Sequence, residues 1–126
     1  MVSAAPTLVE DGRIHVDAAT EGTVDPLDLS FGFAWANNRQ PRTMAGIDRQ
    51  GRLLLVTVDG RLSGGSEGFT LVEAARFMKS LGAVDALNLD GGGSSAMAVN
   101  GALVNRPSDA TGERPVGDTI QVLPRR

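Results

Sequence analysis

Two aspartates, each set directly behind an apolar run and directly ahead of glycine, are the residues of this 126-residue chain best placed by type and position to do chemistry. Asp59 closes "LLLVTVDGR" (53–61) and Asp90 stands in "DALNLDGGGSS" (85–95). A carboxylate presented at the end of a strand can serve as nucleophile or as general acid or base. The glycine behind each one permits backbone angles closed to other residues and lets a ligand approach the main chain. Gly91, Gly92 and Gly93, with the hydroxyls of Ser94 and Ser95, would form a nest of N–H groups suited to a phosphate or a sugar oxygen. The loop has neither the lysine of a Walker A motif nor the G-x-G-x-x-G spacing, and it leads into a strand where those motifs lead into a helix. A tight turn accounts for the same glycines with no ligand at all.

The elements around these residues must bring them together. An apolar strand over 53–58, a helix over 70–81 and a strand over 86–89 form a strand-helix-strand crossover, whose two strands run parallel and deliver Asp59 and Asp90 to neighbouring positions at one sheet edge. The helix is read from Leu71, Ala74, Ala75, Met78 and Leu81 at three- and four-residue spacing, with Thr70 and Glu73 matching a capping box and Gly82 at the expected C-cap. Three turn signals predict hairpins: Asp11-Gly12 within "PTLVEDGRIHV", "RQG" (49–51), and Asn100-Gly101. The nearly continuous apolar run 53–58 predicts a central strand covered on both faces. Alternating Leu27, Leu29, Phe31, Phe33 and Trp35 predict a partly buried strand, with the aromatic pair read as core or as a sugar-stacking platform, and "DTIQVL" (118–123) predicts a last strand. The fold class is therefore α/β in the broad α+β sense, a mixed sheet with β-hairpins and one crossover, in a single domain over 1–126.

Composition removes several alternatives. A formal charge of -3 with interspersed signs offers no basic stripe for nucleic acid. With no cysteine there is no disulfide and no thiolate metal site. No apolar stretch reaches the roughly 20 residues of a membrane span, and "MVSAAPTLVEDG" is too short and polar to read as a signal peptide. No histidine cluster suits zinc and the glycine loop lacks calcium-loop spacing, so no cofactor is expected, a divalent cation entering only as an accessory. His15, the single histidine, belongs to the first hairpin, so neither serine has an activating base and a serine nucleophile is not expected.

Taken together, "PRTMAGIDRQGRLLLVTVDGR", "GFTLVEAARFMKSLGAVDALNLDGGGSSAMAVNG" and "NRPSD…GERPV" resemble the phosphodiester glycosidase family, from about Pro6 to the C-terminus. The resemblance implies hydrolysis of a sugar linked through its anomeric carbon to a phosphodiester, with release of the sugar, and an extracellular or envelope setting. Family members usually carry a further N-terminal portion, so the chain corresponds to the C-terminal part of the full domain. The motif positions carried over are Arg42, Thr43, Asp59, Gly60, Arg61, Glu73, the run Asn88 to Ser95, Pro107, Ser108 and Asp109.

On that resemblance Asp90 is the nucleophile or general base, Asp59 the second carboxylate, and Glu73 a third catalytic candidate for which helix capping is the preferred explanation. For Asp59 an ion pair with Arg42 or Arg61 is the structural alternative. Arg42, Arg61, Arg106 and Arg114 are the guanidiniums available to grip a phosphate, Arg42 and Arg61 being preferred because they adjoin strand ends. A sugar phosphodiester or glycopolymer is the expected substrate. The alternatives are a non-catalytic sugar-phosphate binding module, or a half-domain completed by a second copy or by a chain supplying N-terminal strands.

Overall fold

The computed structural model describes residues 2, 4–18, 21 and 34–126. Five strands make the main sheet: β1 (Ala4–Glu10), β2 (Arg13–Ile14), β3 (Arg42–Asp48), β4 (Leu53–Val58) and β5 (Ala83–Leu89), in the spatial order β2-β1-β5-β3-β4. Every adjacent pair is antiparallel. Helix α1 (Leu71–Ser80) lies between β4 and β5 in sequence, and β6 (Ala98–Val99) with β7 (Ala102–Leu103) forms a separate two-stranded hairpin. The architecture is α+β.

All three turn signals form hairpins, and each uses left-handed backbone at its glycine. Asp11 and Gly12 stand at φ 48° and 74°, Asn100 and Gly101 at 52° and 79°, which is the pairing that a two-residue turn between twisted strands requires. The β3–β4 turn is tied by Asp48, whose Oδ1 accepts from the N–H groups of Gln50 and Arg52 at 2.9 Å each, while Gly51 takes φ 75°.

One face of the sheet carries the core. Leu8, Val9, Met44 and Ala86 of the sheet meet Leu71, Ala74, Ala75 and Met78 of α1, all nearly inaccessible to water. The helix settles this close because the positions beneath it are small. A Cβ at Gly46 would stand 2.9 Å from both Asp85 O and the Met78 methyl. On the opposite face Ile47, Leu53 and Leu87 are 47%, 54% and 43% exposed.

Four sequence expectations are corrected. The apolar run of β4 forms an edge strand, not a central one, and every one of its residues retains some exposure. Its run is continuous because Leu54, Val56 and Val58 back onto the core while Leu55 and Thr57 line a groove with Met97 and Val104. The crossover does join strands of the same direction, but β3 is inserted between β4 and β5, so the sheet has no parallel neighbours. Residues 118–123 pair with no strand, and Ile120, Val122 and Leu123 remain 42–76% exposed. Alternation specifies a strand only where an edge receives it. Trp35 is helical, within 34–37, and not part of a strand; Leu27, Leu29, Phe31 and Phe33 lie outside the described residues.

The capping box predicted for α1 is present. Thr70 Oγ1 accepts from Glu73 N at 3.1 Å and Glu73 Oε2 accepts from Thr70 N at 2.9 Å. Arg39 closes the other side of the carboxylate, donating from Nη2 to Oε1 at 2.7 Å and from Nε to Oε2 at 3.3 Å. The hydrogen bond from Arg39, followed by that from Thr70, holds the Glu73 carboxyl below its ordinary range. Thr70→Ala is expected to cost about 1 kcal/mol in urea unfolding. Because the folded pKa is depressed, the Glu73 contribution is complete above the unfolded pKa and is lost as pH falls through the folded one. The stability difference between wild type and Glu73→Gln should therefore be constant near neutrality and shrink on acidification below about pH 4.5.

Candidate functional site

Three chain segments converge at one edge of the sheet: the end of β4 at Asp59, the start of β3 at Arg42 and the end of β5 at Asp90. Arg42 pairs with Val58, and the Met44–Asn88 register carried two residues further sets Arg42 opposite Asp90. The two aspartates thus share an edge, as expected, but are not neighbours. With β3 between them, the main chains of β4 and β5 stand two strand spacings apart, roughly 9–10 Å. An arginine occupies the gap.

Arg42 is fully buried. Its Nε donates to Phe69 O at 2.8 Å, and Nη2 donates to Trp35 O at 2.7 Å and Asn38 O at 3.1 Å, while the guanidinium lies 4.7 Å from the Trp35 ring centre. Trp35 therefore serves as packing beneath a cation. Among the described residues no carboxylate neutralises this charge and Nη1 has no partner. Burial, reinforced by the charge of Arg61, pushes the guanidinium down to about 10, which leaves it protonated at neutral pH. A desolvated cation with an unused donor is a costly arrangement unless an anion completes it.

The glycines around it are set by close approach to Gln40 and Pro41. A Cβ at Gly60 would stand 2.6 Å from Pro41 N, one at Gly91 would stand 2.8 Å from Pro41 O, and one at Gly68 would overlap the Gln40 carbonyl. Gly92 N donates to Pro41 O at 2.9 Å, and Gly92–Ser94 form a single 3-10 turn in which Ser94 N bonds Gly91 O and Ser95 N bonds Gly92 O. Three of the loop amides are thereby satisfied internally. The expected nest of main-chain donors is largely closed, and guanidiniums supply the positive charge instead.

Two of them flank the turn. Arg61, at φ 55°, gives Nε to Gln40 Oε1 at 2.8 Å and Nη2 to the same oxygen, which leaves Nη1 over Gly92, 3.5 Å from where its Cβ would be. On the other side Arg114 forms a bidentate pair with Asp109, at 2.8 and 3.0 Å, and the pair lies over Gly93, so that an added Cβ there would require those side-chain ends to shift. The bond to Asp109 and, more weakly, the charge of Asp90 raise the pKa of Arg114. Arg114 thus joins Arg61 at the loop. Arg106 contributes its main chain rather than its charge, its N–H donating to both Asp59 oxygens at 3.0 and 3.1 Å.

The carboxylates divide accordingly. Asp59 is half-buried and held by Arg106 N and by Asn105 Nδ2 at 3.1 Å, so an ion pair with Arg42 or Arg61 is not what orders it. Asp90 is exposed, and its carboxylate accepts no hydrogen bond from the described residues. Both oxygens of Glu73 are occupied in capping and in the Arg39 pair, which accounts for this residue without catalysis. Asn88, buried on β5, donates to Ala5 O and Leu89 O, and its Oδ1 is unpartnered. The buried side-chain atoms left unsatisfied among the described residues belong to Arg42, Thr43, Asn88, Ser95 and Ser108. Each of the five was singled out from the sequence. Thr43 follows Arg42 along β3 and so faces the other side of the sheet. Asn105 was not singled out, though it stands directly ahead of the "RPSD" motif residues. An open cleft of about 740 Å³ runs from Arg61 past Asn37, Asn38, Arg39 and Glu67 to Thr70.

The family model described as phosphodiester glycosidase matches residues 1–123. Mouse N-acetylglucosamine-1-phosphodiester α-N-acetylglucosaminidase is 34% identical over 110 residues, 86% of this chain and 21% of the mouse protein. The zebrafish enzyme's catalytic domain, auto-inhibited by its pro-peptide, superposes with a TM-score of 0.72 at 31% identity over 91% of this chain and 36% of that one. A presumed exported protein of Burkholderia pseudomallei gives 0.66 at 53% identity, over 68% of this chain and 16% of its own. The chain thus spans about a fifth of the mouse relative and about a third of the zebrafish domain.

The close approach at Pro41 is testable by contrast. Gly91→Ala, which sets a methyl 2.8 Å from Pro41 O, is expected to destabilise by about 2–3 kcal/mol in chemical unfolding, whereas Gly117→Ala, in open space, should stay within about 0.5 kcal/mol of wild type.

Proposed function

We propose that this chain, which belongs to the phosphodiester glycosidase family, carries the part of an active site that grips and cleaves a glycosyl-1-phosphodiester. The observation that carries the reading is the buried guanidinium of Arg42, which has no carboxylate partner and an unpartnered Nη1 among the described residues, behind a glycine turn flanked by Arg61 and Arg114. Fixed cations around a turn with no side chains favour a phosphate, and they act most strongly where water is excluded.

In hydrolysis the bond from the anomeric carbon to the phosphate oxygen breaks, the carbon gains a water-derived hydroxyl, and the phosphomonoester leaves with the bonding electrons. The guanidiniums stabilise that leaving charge without needing to donate a proton. Asp90, unengaged and exposed at the end of β5, is the carboxylate free to attack the anomeric carbon or to take the proton of the attacking water. Asp59, fully hydrogen-bonded, holds the 105–106 segment in place. The remainder of the cleft, lined by amides, a hydroxyl and charged groups, suits a hydroxylated substituent of the phosphate, of the N-acetylglucosamine or glycopolymer type. The Burkholderia relative is described as exported, which supports action outside the cytosol.

A second reading, that the chain is completed by further polypeptide, is favoured by the open apolar face of Ile47, Leu53 and Leu87 and by the exposed Ile120, Val122 and Leu123. The test covers both. The chain is incubated with an N-acetylglucosamine-1-phosphodiester, alone and with the N-terminal portion of a relative supplied. Sugar release in either case supports the assignment, and release only on supplementation selects the second reading; none in either would overturn it. Where release occurs, Asp90→Asn should lower kcat by about 10²–10⁴-fold with KM little changed. Arg61→Met should chiefly raise KM.

A further inference from the structure

The carboxamide of Asn105 makes three hydrogen bonds that tie together the two halves of the site. Its Oδ1 accepts from Met97 N at 2.8 Å, and its Nδ2 donates to Ser95 O at 2.9 Å and to Asp59 Oδ1 at 3.1 Å. A primary amide is a peptide group in miniature, with one acceptor and two donors. Following directly on Val104, whose N–H bonds Met97 O, the side chain continues the β6–β7 ladder and satisfies the outward N–H and C=O of residues 97 and 95 as another strand would. Its remaining N–H reaches across to Asp59. All its hydrogen-bonding groups are used, in a half-buried position.

We infer that Asn105 is a positioning residue, which sets the exit of the glycine turn at Ser95 relative to Asp59 and the end of β4. This rests on the reading of that turn as a phosphate site. The link is specific to asparagine. Aspartate has the same shape but, ionised, no donor, so it would set a carboxylate against two acceptors, Ser95 O and Asp59 Oδ1. Glutamine is a methylene too long for the same two-sided contact. Through this residue the loop, which bonds Pro41 at one end, is held at its other end too, and the buried hydroxyl of Ser95, 1% exposed and without a partner among the described residues, is kept at a fixed place beside it.

The experiment compares wild type, Asn105→Asp and Asn105→Ala by amide hydrogen exchange and by NMR titration with inorganic phosphate and with N-acetylglucosamine-1-phosphate. In ligand-free protein Asn105→Ala, which removes the acceptor, should lose protection at Met97, while Asn105→Asp, which keeps that acceptor and loses the donor, should shift the amide signals of Gly91 to Ser95 and of Arg106. At pH 7 Asn105→Asp should bind either probe about tenfold more weakly than wild type. Near pH 4.5 a protonated aspartic acid regains a donor, so that deficit relative to wild type should narrow, while the deficit of Asn105→Ala should not. Unchanged loop signals in Asn105→Asp would overturn the positioning role. So would equal deficits of the two variants at both pH values, the pattern of a merely structural contact. If wild type binds neither probe while the loop signals do move, the positioning role stands and the phosphate reading fails, so the two are separable.

Discussion

The site depends on how closely the peptide of Gln40 and Pro41 is enclosed. Gly60 follows β4, Gly68 precedes α1 and Gly91 follows β5, and at each of them a side chain would collide with this one stretch of backbone. Three segments remote in sequence can therefore converge on the start of β3 only as bare main chain. The Gln40–Phe69 bridge and the Gly92–Pro41 hydrogen bond then fasten what the glycines allow. Once that packing is set, the ends of β4 and β5 and the entrance to α1 have no independent freedom.

Arg42 follows from the same enclosure. Its side chain leaves β3 on the face that α1 covers, and carbonyls from the 34–38 turn and from Phe69 replace the water it loses. Carbonyl dipoles solvate a cation without cancelling its charge, so the field persists at the sheet edge, and Arg61, oriented by Gln40, adds to it. Like charges are thus held near one another by packing rather than by attraction, a cost that a bound anion would offset.

Much of the local structure was legible beforehand, for reasons that are themselves local. Asp11-Gly12 and Asn100-Gly101 favour positive φ wherever they stand, and Thr70 with Glu73 caps a helix through groups three residues apart. The apolar run of β4 misled because burial on both faces was inferred from composition, whereas the second face is only partly covered, by Met97 and Val104 of a hairpin forty residues on. The segment 118–123 has the alternation of a strand but joins no strand among the described residues. The insertion of β3 between β4 and β5 could not be read from the crossover pattern, since a hairpin partner on the inner side leaves no mark in the strands it separates.

The sequence by itself determined the helix and its cap, the three hairpin turns, the family, and the residues from which a site would be drawn, because each of these rests on neighbours along the chain or on residue type. Only the tertiary structure decided how those residues divide the work. Asp59 became an anchor because Arg106 and Asn105 reach it from more than forty residues away, whereas Asp90 accepts no hydrogen bond from the described residues. The loop amides turned inward onto Pro41 and onto one another, so the positive charge came from Arg61 and Arg114. Hydrogen-bond partners compete across space, and which donor finds which acceptor is settled by packing that no spacing in the chain encodes.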